Sequence, residues 1–177
     1  QDIIQIGIDI CQALEVCQKY QIIHRDIKPE NIFVSDLGKY KLGDFGIARK
    51  LEKTSSGLSK KGTYSFMAPE VYKGEDYNAS VDLYSLGLVL YRFLNNNRNP
   101  FLPPFPETIH YTDPQKANEK RFRGETFPAP CNADERLTEI ILKACAYNPK
   151  ERYQSPRALR EALQEALELE REITFIF

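Results

Sequence analysis

No stretch of this chain is apolar for anything near the ~20 residues that a membrane-crossing helix needs, and no leader-like segment opens it. An excess of charge of one sign is missing too. The 24 basic and 25 acidic side chains leave a net charge of −1, which argues against nucleic acid and anionic membranes as partners. The four cysteines include no Cys-x-x-Cys pair. Cys11 and Cys17 share one helical stripe, but six residues at about 1.5 Å rise hold them roughly 9 Å apart, beyond the ~7 Å reach of a disulfide. They are expected to be reduced and core-facing, which predicts a cytoplasmic protein. Internal repeats and linker-like stretches are also absent. The 177 residues therefore read as one domain, long enough to bury roughly 70% of its unfolded surface.

What is present is mostly helical pattern. Ile3, Ile4, Gly7, Ile10, Cys11, Leu14 and Cys17 recur at helical spacing and predict a helix over 3–20. Asn31–Val34 and Tyr40–Leu42 are short β-rich runs flanking Ser35-Asp36-Leu37-Gly38, the composition of a hairpin turn. Residues 47–67 are rich in Ser, Thr, Gly and Lys and read as a loop. A strongly apolar helix is expected over 79–95, containing Val81, Leu83, Leu86, Leu88, Leu90, Tyr91 and Leu94. Five prolines between Asn99 and Pro114 predict irregular chain, followed by a short charged helix over 115–123. Asn132 with Glu135 three residues on resembles a capping box opening a helix over 133–147. Ser155-Pro156 predicts the start of a last helix over 156–172. Ile173–Phe177 is expected to be an extended tail or the start of a linker, and the basic side chains of Lys116, Lys120, Arg121 and Arg123 to form a solvated helix face.

Four short motifs follow one another in order. They are His24-Arg25-Asp26, then Ile27-Lys28-Pro29-Glu30-Asn31, then Asp44-Phe45-Gly46, then Ala68-Pro69-Glu70. Each alone is weak, but three or more in order make coincidence a poor explanation. The chain resembles the serine/threonine protein kinases of the Hanks type, and the run Asp82–Gly87 with the ending Asn148–Tyr153 is most similar to their bacterial branch. The resemblance covers nearly the whole chain but only the large, C-terminal lobe. No Gly-x-Gly-x-x-Gly loop and no strand with a phosphate-pairing lysine appears, so the small, N-terminal lobe is expected to be a missing partner. The implied fold is mainly α, a helical bundle with a small β-hairpin carrying the catalytic loop and the Asp-Phe-Gly turn.

The resemblance implies ATP and Mg²⁺ as cofactors and protein substrates as partners, with the terminal phosphoryl of ATP passing to Ser or Thr hydroxyls. Asp26, Lys28 and Thr63 match the catalytic positions. Lys28, Asn31 and Asp44 match the nucleotide-binding ones, with Asn31 and Asp44 as the oxygen ligands of magnesium. Asp26 is expected to be exposed in a cleft, and His24 to be a packed structural residue. Arg25, Glu70, Asp82 and Arg152 match supporting positions. Asp82 would hold the catalytic-loop backbone, and Glu70 would pair with Arg152. Thr54, Ser55, Ser56 and Ser59 on the loop are candidate phosphorylation sites, and Arg25 could pair with the phosphate, since a guanidinium can grip one with two bonds. Lys28 in Asp-x-Lys-x-x-Asn and Gly62-Thr63 point to serine and threonine rather than tyrosine as acceptor. The isolated chain is expected to be inactive and to have some tendency to form a homodimer. The alternative from another class is a non-catalytic pseudokinase or docking module.

Overall fold

The computed structural model describes residues 2–44, 49–50 and 64–176, with the backbone alone at 49–50 and 173–176. Phe45, Gly46, Thr54, Ser55, Ser56, Ser59 and Thr63 lie outside the described residues. The chain is mainly helical. Its elements run α1 (Asp2–Lys19), β1 (Ile22–Ile23), β2 (Ile32–Val34), β3 (Tyr40–Leu42), β4 (Arg49–Lys50), α2 (Pro69–Lys73), α3 (Ser80–Leu94), α4 (Asp113–Arg123), α5 (Glu135–Ala144) and α6 (Pro156–Ile176).

The core is built around α3. Its apolar residues run all round the helix, and from Val81 to Tyr91 every side chain is buried. Such a helix is stable only when other elements cover every face. α1 and α5 pack on it, and α6 packs on both α1 and α5. Gly7 is what lets α1 lie close to two neighbours at once. A Cβ there would come within 2.6 Å of Leu163 on α6 and 3.0 Å of Leu90 on α3.

The hairpin forms as the β-rich runs predict, with Ile32 opposite Leu42, Phe33 opposite Lys41 and Val34 opposite Tyr40. Its turn closes through Ser35 N to Lys39 O and Gly38 N to Ser35 O, both 2.8 Å. Gly38 has φ +72, a backbone conformation that favours glycine. Asp9 ties this hairpin to α1 by accepting from Tyr40 N at 2.9 Å. β1 and β4 form a second two-stranded pair, too short to leave a period in the sequence.

Three boundaries differ from the expectations. α4 begins at Asp113, inside the proline-rich stretch, because Pro114 fits the first helical turn, where its missing N–H costs nothing. α5 begins at Glu135, because Asp134 and not Asn132 accepts from Leu137 N (2.7 Å). Asn132 instead donates to Asn96 Oδ1 at 3.0 Å, off the helix axis. The expected extended tail is helix, since α6 continues to Ile176. α6 does open as predicted, with Ala158 N donating to Ser155 Oγ at 3.1 Å. All four cysteines are free. Cys11, Cys17 and Cys145 are buried, and Cys131 is exposed. Burial pushes the Cys145 thiol up to about 12. Among the described residues, no helix is long and apolar enough to cross a membrane.

Candidate active site

The segment between β1 and β2 carries His24, Arg25, Asp26, Lys28 and Asn31, and it is held from α3. Asp82, one turn into that helix, accepts from His24 N through Oδ2 and from Arg25 N through Oδ1, both at 2.8 Å. Arg25 needs this support, because its φ of +71 is one that non-glycine residues rarely adopt. Asp82 is almost completely buried. That burial lifts its carboxyl to about 6, with the two backbone donors and the Arg25 charge pulling the other way.

His24 is fully buried and links the loop to the far side of the hairpin. Its Nε2 lies 3.0 Å from Gly43 O, which can only accept, so Nε2 carries the proton. Burial holds its basicity below the ordinary histidine value. On the other side of the ring, Nδ1 accepts from Asp26 N at 3.4 Å. The Nε2 bond to Gly43 O fixes the residue just before Asp44, which has φ +55 and an exposed side chain.

Asp26 is 4% exposed, so the expectation of an exposed carboxylate is corrected. Its Oδ2 accepts from Lys28 Nζ at 2.7 Å and from Asn31 Nδ2 at 3.0 Å. The same Asn31 amide donates to Asp26 O at 2.7 Å. Asp26 Oδ1 is buried and has no hydrogen-bond partner among the described residues. An unmet buried acceptor costs about 1–3 kcal/mol, and a group that must receive an incoming donor is a reason to carry that cost.

Asn31 is held by two bonds through its nitrogen, so its amide oxygen is the atom it could offer to a cation. With Asp44 it offers hard oxygen ligands of the kind magnesium takes. Among the described residues no cluster of three or more His, Cys, Asp or Glu side chains forms a metal cage. Magnesium held partly by phosphate needs none.

Glu70 and Arg152, 82 residues apart, meet in a buried two-pronged pair, Nη1 to Oε1 at 2.6 Å and Nη2 to Oε2 at 2.8 Å. Arg152 also donates to Ala146 O (2.7 Å) and Tyr147 O (3.2 Å) and lies against the Tyr84 ring. Glu70 sits in α2, so this pair fastens the end of the segment that runs past residue 64.

One expectation fails in an informative way. Arg121 is not part of a solvated face: it is 2% exposed, while Lys116, Lys120 and Arg123 are exposed. Arg121 donates to Tyr64 O and Met67 O. Asn99 Nδ2 donates to Ser65 O at 3.2 Å, and Ser85 Oγ to Phe66 O at 2.8 Å. The pattern held a signal for this. Ala117 lies one turn before Arg121 and Phe122 beside it, and both are buried, so Arg121 is on the inward side of α4.

A family model for the protein kinase domain matches residues 1–165. The chain belongs to the protein kinase family. It is 37% identical over 164 residues to serine/threonine-protein kinase PknB of Mycolicibacterium smegmatis, covering 90% of this chain and 25% of that protein. It is 36% identical over 166 residues to the PknB of Mycobacterium leprae, covering 92% and 26%. Against a probable serine/threonine-protein kinase, SCO3848 of Streptomyces coelicolor, the figure is 34% over 169 residues, covering 93% and 24%. These relatives place this chain in the family of bacterial Hanks-type serine/threonine kinases. It spans about a quarter of the length of the curated relatives it matches.

Proposed function

We propose that this chain is the C-terminal lobe of an ATP-dependent serine/threonine protein kinase, and that a small lobe elsewhere in the parent protein completes the nucleotide site. The observation that carries the reading is the Asp26 carboxylate. One of its oxygens is fixed by Lys28 and Asn31, and the other is buried and unpartnered among the described residues. Family membership supports phosphoryl transfer. The absence of a Gly-x-Gly-x-x-Gly loop from the sequence supports the single-lobe assignment.

In this reading Asp26 Oδ1 orients the acceptor hydroxyl and receives its proton as the oxygen–phosphorus bond forms and the bond to the ADP oxygen breaks. Lys28 places its ammonium where negative charge gathers on the transferring group. Asn31 and Asp44 would hold magnesium, which would supply positive charge against the nucleotide phosphates. Asp82 and His24 keep the loop and the Asp44 turn in register. By the family resemblance Thr63 would help to shape the acceptor site, and phosphorylation at Thr54, Ser55, Ser56 or Ser59 would supply a phosphate for Arg25 to grip. Protein substrates and a cytoplasmic location go with this assignment, the latter supported by four free thiols.

The test is transfer from γ-labelled ATP with magnesium by the full-length protein, followed by phosphoamino-acid analysis. Label on serine or threonine is expected. No label above background, or label on tyrosine, overturns the assignment, and absence of transfer with intact binding of partners would establish the non-catalytic module.

A further inference from the structure

We propose that Arg121 is a positioning residue: from α4 it holds the backbone of Tyr64–Met67 as the platform that presents the acceptor segment to Asp26. The inference rests on the phosphoryl-transfer reading. Its basis is the way that short segment is held. Four consecutive carbonyls, of Tyr64, Ser65, Phe66 and Met67, each accept from a side chain that comes from elsewhere in the fold. The segment makes little structure of its own, with Met67 N to Tyr64 O at a long 3.4 Å. Its shape is therefore set by Arg121, Asn99 and Ser85, and Arg121 supplies two of the four donors with one planar fork.

Arg121 is an expensive way to do this unless the geometry matters. Removing a guanidinium from water is costly without a counter-charge. Among the described residues Arg121 has no ion pair. What surrounds it instead is polar or aromatic. Asn118 Oδ1 accepts at 3.1 Å, the Phe122 ring lies 4.4 Å away and the Tyr84 ring 5.9 Å. It sits in the last turn of α4, where the helix dipole favours a cation. A rigid five-donor fork can bridge Tyr64 O and Met67 O together, which a lysine ammonium cannot do with the same fixed geometry.

The platform lies against the catalytic loop. Arg25 and Met67 line one cavity of about 20 Å³, together with Ala68, Val71, Val81 and Ser85. α3 holds both sides of this junction, the loop through Asp82 and the platform through Ser85, three residues later on the same helical face. α4 adds two bonds through Arg121, and Asn99, in the chain between α3 and α4, adds the fourth. A shift of α4 would thus move the platform while leaving Asp26 in place.

Arg121→Met and Arg121→Lys in the full-length protein test this. For Arg121→Met the KM for a serine- or threonine-containing substrate should rise between about 10- and 100-fold, with the KM for ATP within twofold of wild type, and Arg121→Lys should fall between the two. In the 177-residue chain, hydrogen exchange at Phe66 and Met67 should accelerate in Arg121→Met while α1 and α3 amides keep their protection. An unchanged substrate KM, or equal losses in substrate and ATP KM together with faster exchange throughout α3, would overturn the proposal. Failure of the underlying reading is seen separately: Asp26→Asn would then transfer phosphoryl as well as wild type, whatever the exchange data show.

Discussion

At the scale of single residues, Asp82 holds the backbone beside Asp26, Lys28 and Asn31, and that those three would meet was legible because their types and spacing form a motif. Their environments were not. Whether Asp26 is exposed depends on how the loop folds under Asp82, a contact 57 residues away. Arg121 was read as surface charge because arginine usually is. Asp82 gives a test with a defined sign. Its folded carboxyl titrates near 6, above the ordinary ~3.9, so in that interval the folded chain binds a proton the unfolded chain does not. Its contribution to stability is therefore full below about pH 4 and is lost as pH rises through about 6. His24 acts in the opposite direction, since burial lowers its pKa and acidification charges it in the unfolded state first. Comparing wild type with Asp82→Asn cancels the histidine. From pH 7 to pH 4 the difference in unfolding free energy should move in favour of wild type by on the order of 3 kcal/mol. Denaturant titrations giving a pH-independent difference would refute this.

At the scale of elements, the helices and the hairpin were legible from periodicity and turn residues, and their ends less so. A cap is decided by one backbone angle. Asp134 has the extended conformation and a carboxylate 2.7 Å from Leu137 N, whereas Asn132 is engaged across the loop with Asn96. Asp134→Ala should cost about 1 kcal/mol of stability, the usual worth of such a cap. Asn132→Ala, on an exposed bond, should cost less than about 0.5 kcal/mol. Equal losses in thermal unfolding would return the cap to Asn132. α2 and the β1–β4 pair escaped prediction because two to five residues are too few to show a period. Their place is set by tertiary contacts, for α2 above all by Glu70 and Arg152.

At the scale of the whole molecule, α1, α5 and α6 share one core with α3, which is buried from Val81 to Tyr91 and holds the His24–Arg25 backbone through Asp82. That core is expected to let the 177-residue chain fold alone, with Phe33, Val34 and Leu37 of the hairpin left exposed. Light scattering on the purified chain should show reversible dimerisation at high concentration, because an exposed apolar surface tends to be covered by association. A strict monomer would contradict this. On the single-lobe reading proposed above, transfer by the same chain should be negligible, since a charge-assisted bond from a small-lobe lysine is worth about 1.5–3 kcal/mol. The central claim, that Asp26 is the reacting carboxylate and Asp44 a metal-binding one, is tested most directly in the full-length protein by measuring kcat and magnesium-dependent nucleotide affinity for Asp26→Asn and Asp44→Asn side by side. The account predicts that Asp26→Asn lowers kcat at least about 100-fold with nucleotide affinity nearly unchanged, and that Asp44→Asn weakens the affinity more than Asp26→Asn does. Near-normal turnover in both variants would contradict it.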